Sequence, residues 1–163
     1  MLDFDWTGWT TWVPLIGLDF TTVPWLPGAY VIATSSPVHR AIDTDEEGFL
    51  DVGESDSLRS RLQSFVRCAS NRGKEGHMAG WRYAFFHFDQ RFPLSSLRVR
   101  WAAKETKAEA YRAEGHLLLA YLRRHAELPP LNYKFNWNAF EELGWDHLDP
   151  ATASQESMPP ETP

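Results

Sequence analysis

The 163-residue chain has only one cysteine, Cys68. A single thiol excludes an internal disulfide and any zinc site built from several cysteines. We therefore expect Cys68 to pack as a small apolar residue on a helix. Apart from His77, considered below, the histidines lack the paired spacing of zinc ligands, and we assign them no metal.

The chain also lacks a run of about eighteen apolar residues, which a membrane-spanning helix needs. Its first residues lack the basic segment that opens a signal peptide. We therefore expect a cytoplasmic protein with no membrane partner. Aromatic residues, by contrast, are abundant at 14%, and 43% of all residues are hydrophobic. This composition favours a globular chain with a real core and, at this length, one domain.

Basic residues are scarce at both ends of the chain, whose net charge is −6. Residues 1–56 hold ten acidic residues and one basic residue, and residues 139–163 hold six acidic residues and no Lys or Arg. Residues 57–138 hold fifteen Lys or Arg against six Asp or Glu. A basic middle between acidic ends is typical of a phosphate-binding face, although ordinary mixed surface charge explains these counts equally well.

Composition divides the chain into four segments. Residues 1–27 form an aromatic N-terminal arm broken by prolines, which we expect to pack on the domain rather than to stack on nucleic-acid bases. Residues 28–138 form the main domain, and residues 139–150 an acidic extension that includes most of a short helix at 138–148. Residues 151–163, rich in Pro, Ser, Thr and Glu, are predicted to be a disordered tail.

The first half of the main domain predicts two antiparallel strands followed by a helix. In chain order the elements are a strand at 28–34, a polar loop at 35–47, a strand at about 49–53 and a helix at about 56–69. Ser55 or Asp56 is expected to cap the helix, and Gly53 to give the backbone freedom where the strand ends.

The second half opens with a glycine-rich basic loop at 71–80. Residues 81–88 are apolar and aromatic, and their pattern does not distinguish a helix from a strand. Alternating apolar residues predict a half-buried strand at 97–101. The next element is a long helix at about 106–125, which begins with a capping box of Thr106 and Glu109.

Two charged residues occupy unusual positions on the predicted helices. Arg61 lies beside the apolar stripe of the first helix, so it must reach solvent along its stem or bind an anion. A snorkelling surface arginine is the ordinary explanation. Glu114 lies on the apolar stripe of the long helix, where a carboxylate needs a metal, a cation such as Arg61, or the helix edge. An ion pair is the ordinary explanation here.

The order of several short motifs resembles the GIY-YIG nuclease superfamily over about residues 25–136. The motifs are Gly28-Ala29-Tyr30, Asp51-Val52-Gly53, Arg61 eight residues after that glycine, Glu114 on a late helix, and Asn132 after Pro129-Pro130-Leu131. The resemblance implies a small α/β sandwich in which helices flank a central three-stranded antiparallel sheet.

The resemblance also implies an endonuclease that hydrolyses phosphodiester bonds in DNA with one divalent ion, Mg²⁺ or Mn²⁺. Tyr30 would activate or position the attacking water, Arg61 would stabilise the pentacovalent phosphate, and Glu114 would bind the metal. Asn132 would hold the local geometry, and His77 is placed like a histidine that some members carry. DNA, or alternatively RNA, would bind through the basic region 57–138.

Two residues depart from the pattern of the superfamily. Asp51 stands in place of the second tyrosine and could act as a base or recruit metal, and Phe65 stands where a Tyr or His is usual. Asp51 and Gly53 of the second motif are further candidate site residues. The alternatives are a catalytically degenerate domain that binds nucleic acid or protein, and an unrelated α/β fold that matches by chance. Unless residues 1–27 or the acidic end serve as a recognition domain, specificity would need a protein partner or a dimer.

Overall fold

The computed structural model describes residues 2–70 and 76–136. The predicted acidic extension, the short helix at 138–148 and the disordered tail at 151–163 lie outside the described residues. None of these three predictions is therefore tested by the structure.

The centre of the fold is an antiparallel sheet flanked by helices, and the chain is an α/β domain. Its strands are β1 (Val13–Pro14), β2 (Gly28–Thr34), β5 (Phe49–Ser55) and β6 (Leu97–Ala103), in the spatial order β1-β6-β2-β5. A separate hairpin, β3 (Val38–His39) and β4 (Thr44–Asp45), lies in the predicted loop at 35–47.

The sheet has four strands, so the prediction of three is wrong. The additional strand, β1, comes from the N-terminal arm, and Val13 pairs with Val99 of β6. Its second residue is Pro14, which lacks a backbone N–H and is therefore tolerated at a sheet edge. A two-residue strand that contains proline has no alternating pattern by which to recognise it.

The described residues form three α-helices: α1 (Leu58–Ala69), α2 (Met78–Phe85), which packs on α1, and α3 (Lys107–His125). The predicted capping box is present at the start of α3. Helix α1 is capped by Ser57, whose side chain accepts a hydrogen bond from the backbone N–H of Ser60, and not by Ser55 or Asp56. Cys68 is buried on α1.

The segment whose type the sequence left open, residues 81–88, belongs mainly to α2. The basic loop predicted at 71–80 is wrong at its end, because residues 78–80 already belong to this helix and His77 caps it. Residues 71–75 lie outside the description. No described helix is long and apolar enough to cross a membrane.

Both faces of the central strand β2 are buried, and all seven of its residues are inaccessible to solvent. Tyr30 and Ile32 face the core shared with α1 and α2, while Val31 and Ala33 face the core shared with α3. This alternation explains why β2 is apolar throughout. On the α3 side, the arm residues Trp6, Trp9 and Trp12 pack against the same core, as expected.

Candidate active site

A cavity of about 290 Å³ lies along the edge strand β5. Because β5 has no neighbouring strand on one side among the described residues, side chains from α1 and α2 on one face can meet side chains from α3 on the other. The cavity brings together the seven residues singled out from the sequence: Tyr30, Asp51, Gly53, Arg61, His77, Glu114 and Asn132.

Tyr30, Asp51 and His77 form a buried chain of hydrogen bonds. The Tyr30 hydroxyl oxygen lies 2.9 Å from His77 Nε2 and 3.2 Å from Asp51 Oδ2. At the other side of the imidazole, the backbone N–H of Gly80 donates to His77 Nδ1. Since Nδ1 accepts, the proton of the neutral ring lies on Nε2. The chain therefore has one direction: His77 Nε2–H donates to Tyr30, and the Tyr30 O–H donates to Asp51.

Burial sets the protonation of this chain. It lowers the pKa of His77 to about 3, with a further contribution from the charge of Arg61, so the imidazole is neutral. It raises the pKa of Tyr30 well above its ordinary value, as does the Asp51 charge. Burial also raises the pKa of Asp51 to about 7, against the Tyr30 hydrogen bond and the charges of Arg61 and Arg82. Asp51 is thus the member of the chain that titrates near neutral pH.

Gly53 makes room for the Tyr30 phenol. The two residues are directly paired between β2 and β5, and a Cβ atom at position 53 would lie 2.2 Å from the Tyr30 hydroxyl oxygen. The sequence suggested that this glycine frees the backbone at the end of a strand. That interpretation is wrong, because Gly53 lies inside β5. What requires glycine here is the close approach of the phenol.

Arg61 reaches the cavity from α1 and is partly exposed. Its Nη1 donates to the carbonyl oxygen of Gly76 at 3.4 Å, a long bond that leaves most of the five guanidinium N–H groups for other partners. Among the described residues, no ion pair joins Arg61 to Glu114, so the ion pair suggested from the sequence is not formed. The guanidinium is placed to receive an anion in the cavity.

Glu114 enters the cavity from α3. Its Oε2 accepts a hydrogen bond from Asn136 Nδ2 at 2.8 Å. Burial, followed by the nearby carboxylate of Glu54, raises the pKa of Glu114 to about 7, against the opposing effects of Asn136 and Lys107. Glu54 itself lines the cavity from β5 and forms an ion pair with Lys107. The carboxyl groups of Glu54 and Glu114 thus line the same cavity as the guanidinium of Arg61.

Asn132 attaches the segment after α3 to the edge strand. Its Oδ1 accepts from the Val52 N–H at 3.0 Å, and its Nδ2 donates to the Val52 carbonyl oxygen at 2.7 Å. The neighbouring Leu131 N–H donates to the Leu50 carbonyl oxygen. The side chain thus pairs with β5 as a further strand would.

We expect Asn132→Ala to lower the free energy of unfolding by about 2 kcal/mol, because two hydrogen bonds are lost and Val52 is left partly unsatisfied. Asn132→Asp should be at least as harmful above pH 5. It retains the acceptor but places a carboxylate oxygen against the Val52 carbonyl oxygen. Urea unfolding measures both changes; an Asp variant as stable as the parent would show that the Nδ2 bond contributes nothing.

Three cavity residues with charged or amide side chains, Glu54, Lys134 and Asn136, were missed in the sequence. Glu54 directly follows the second motif, but nothing in the pattern showed that β5 continues to Ser55. No sequence pattern identifies Asn136 as a cavity residue, because its contact with Glu114 depends on the path of the chain after α3. Phe65, in place of the usual Tyr or His, packs edge-on against the His77 ring at 5.1 Å between centroids.

Comparisons with known proteins identify no relative: no protein-family model, curated protein or solved structure matches the chain. The chemistry of the cavity is therefore the basis for inferring function.

Proposed function

We propose that the protein is a divalent-metal-dependent endonuclease that hydrolyses phosphodiester bonds in DNA, and that it is a divergent member of the GIY-YIG superfamily. The observation that carries the proposal is the convergence of six motif residues and His77, from six separate stretches of the chain, on one cavity. Short motifs that match by chance in an unrelated fold have no reason to meet in space. Their meeting supports the resemblance beyond the sequence order alone.

The charges of the cavity suit a bound phosphodiester. Arg61 offers a guanidinium that can donate two parallel hydrogen bonds to phosphate oxygens. In an in-line attack, negative charge grows on the nonbridging oxygens, and a fixed cation stabilises that charge more than it stabilises the ground state. Lys134, also at the cavity, adds positive charge for the DNA backbone.

The hydrogen-bond chain supplies a route for the proton of the attacking water. Tyr30 is too weak an acid to work as a phenolate, but its oxygen can accept a proton from water while its own proton passes to Asp51. The new bond forms between the water oxygen and phosphorus as the bond to the leaving oxygen breaks, and the leaving oxygen takes a proton from solvent. Asp51 thus replaces the second tyrosine as the final acceptor, and His77 positions the phenol.

The donor set at Glu114 fits one divalent ion that keeps much of its water. The carboxylate is desolvated and lies in the field of Glu54, two effects that a bound cation would offset. Glu114 would hold the ion, since Glu54 is paired with Lys107. One carboxylate, several waters and a substrate phosphate are the usual surroundings of Mg²⁺. When bound, such an ion neutralises phosphate charge and lowers the pKa of a coordinated water.

Cleavage of supercoiled plasmid and of labelled single- and double-stranded DNA tests the proposal, with Mg²⁺, with Mn²⁺ and with chelator. We expect cutting that the chelator abolishes. Glu114→Gln should weaken Mn²⁺ binding by at least about tenfold, because even changes outside the first coordination shell cost that much at metal sites. Electron paramagnetic resonance measures the Mn²⁺ binding. Cutting by the parent protein that persists in chelator would contradict the assignment of a metal to Glu114.

Glu109→Gln is the matched control, because it makes the same change on the same helix outside the cavity. Glu109 closes the capping box of α3, and glutamine serves equally well at that position. This variant should bind Mn²⁺ and cut DNA as the parent does. An equal loss in both variants would show that the effect comes from α3 as a whole and not from the Glu114 site.

A binding module is the second candidate, because both nitrogens of His77 are already engaged and Phe65 can do no acid–base chemistry. On that hypothesis the cavity holds a phosphate without cleaving it. DNA binding that requires Arg61, without cutting of any substrate under any metal condition, would favour this alternative.

A further inference from the structure

Helix α2 exposes large apolar side chains along one face. Met78, Trp81 and Phe85, at spacings of three and four residues, are 52%, 37% and 59% exposed, and the adjoining Phe86 is 54% exposed. We call these four residues the α2 aromatic face. The opposite side of the helix packs closely on α1, since a Cβ atom at Gly80 would lie 2.8 Å from the Phe65 carbonyl oxygen. The orientation of the face is therefore fixed by the core.

The rings of the α2 aromatic face are already ordered against each other. Trp81 and Phe85 are stacked, with centroids 4.6 Å apart and planes 20° from parallel. Phe86 meets Phe85 edge-on at 5.1 Å, and the guanidinium of Arg82 lies 5.5 Å from the Phe86 ring. A ligand that stacks on this platform would pay little entropy for ordering it.

The α2 aromatic face is continuous with the candidate active site. Met78 belongs to both, since it lines the cavity. From Met78, the rise of a helix carries Phe85 about 10 Å along the axis, the length of roughly three stacked bases. The cavity lining also includes an exposed aromatic residue, Tyr133, which is 57% exposed. A DNA strand with a phosphate at Arg61 therefore lies close to an aromatic surface.

We infer that the α2 aromatic face stacks on unpaired bases next to the scissile phosphate, so that the substrate is single-stranded or locally unpaired DNA. This inference rests on the proposed nuclease function. A base in a duplex has both faces covered by its neighbours, whereas an unpaired base can stack on an aromatic ring. Residues 78–86 include a positive charge, Arg82, and no Asp or Glu, which suits a polyanion.

Binding in chelator tests the inference without requiring catalysis. Fluorescence anisotropy would compare a labelled single-stranded oligothymidine with a duplex of the same length. We expect the parent to prefer the single strand, and the double variant Trp81→Ser/Phe85→Ser to bind it roughly tenfold or more weakly, as expected for the loss of base stacking. Duplex affinity should change by less than about twofold, because phosphate contacts dominate there.

Two further variants separate stacking from effects on the fold. Trp81→Phe/Phe85→Tyr retains the rings and should retain single-strand binding. Ile42→Ser removes an apolar side chain that is 65% exposed and is not among the cavity-lining residues, and it should leave binding unchanged. If the conservative variant binds as weakly as the serine variant, the loss does not arise from removing the aromatic rings, and the inference is wrong.

Other occupants of the face give different results. A parent dimer that the serine variant converts to a monomer in analytical ultracentrifugation would show that a second copy covers the face, and unchanged single-strand affinity would overturn the inference as well. If the parent binds and cuts DNA while the serine variant does so equally, the proposed function stands and only the stacking inference fails. If the parent binds neither form of DNA at low salt, both fail.

Discussion

Replacing Arg61 with alanine is expected to slow metal-dependent DNA cleavage by about 10²- to 10³-fold, the usual cost of removing one preorganised donor from developing charge. The guanidinium lies in the cavity with one long bond to the Gly76 carbonyl oxygen. Its loss removes positive charge where the phosphate would lie and does not open the core. Arg61→Lys should recover only part of the rate, since an ammonium cannot make the two parallel bonds of a guanidinium.

Arg59→Ala is the matched control for this loss. Arg59 lies two residues away on α1, but it donates to the carbonyl oxygens of Val23 and Thr21 and stacks over Trp25. Its removal should lower stability without slowing cleavage. Single-turnover rates at saturating metal give the comparison, with circular dichroism to show that each variant is folded. If the Arg61→Ala variant cleaves within about threefold of the parent rate, the loss is too small for a donor that stabilises the transition state.

The elements that could be predicted from the sequence are those whose pattern is local. Strand β2 was predicted with its exact ends because it is apolar throughout, and the start of α3 because Thr106 and Glu109 form a capping box that needs no tertiary contact. Strand β1 could not be predicted, because two residues that include proline become a strand only when β6 is beside them. Helix α1 is capped by Ser57, and not by the predicted Ser55 or Asp56, because β5 continues to Ser55.

For the candidate site, the sequence suggested seven of the residues that line the cavity, but not the contacts between them. The spacing of Tyr30, Arg61 and Glu114 predicts which elements carry them, yet their convergence depends on β5 being an edge strand. The role of His77 depends on the start of α2, where capping and the bond to Tyr30 occupy both ring nitrogens. Sequence reasoning placed this residue in a loop, from which neither contact follows.

Asp51→Asn is expected to stabilise the fold above pH 7 while slowing cleavage. The side chain is 4% exposed, and its burial raises the pKa of the carboxyl from 3.8 to about 7. Asparagine keeps an oxygen that can accept the Tyr30 hydrogen bond but carries no charge to desolvate. It cannot take a proton from Tyr30, so the proposed proton route loses its final acceptor.

The effect on stability depends on pH in a defined direction. Below about pH 4, the Asp51 carboxyl is protonated in both the folded and the unfolded chain, and burial of charge costs nothing. As pH rises to about 7, the unfolded chain releases the proton and the folded chain keeps it, so the free energy of unfolding of the parent falls. Above that pH the free energy of unfolding of the parent remains lower by the full cost of burying the Asp51 charge, of the order of a few kcal/mol.

Urea unfolding of the parent and of Asp51→Asn at several pH values between 4 and 8 measures the cost of the buried charge. That cost is the pH-dependent part of the difference between their free energies of unfolding. His77 contributes with the opposite sign, since its pKa is lowered and its stabilisation is lost as pH falls. To first order that contribution is common to both proteins and cancels, while the new amide adds an offset that does not depend on pH. A constant difference across the range would show that Asp51 carries no buried charge. A difference that grows toward pH 8, together with slower cleavage by the asparagine variant, would show that the carboxylate weakens the fold and serves the reaction.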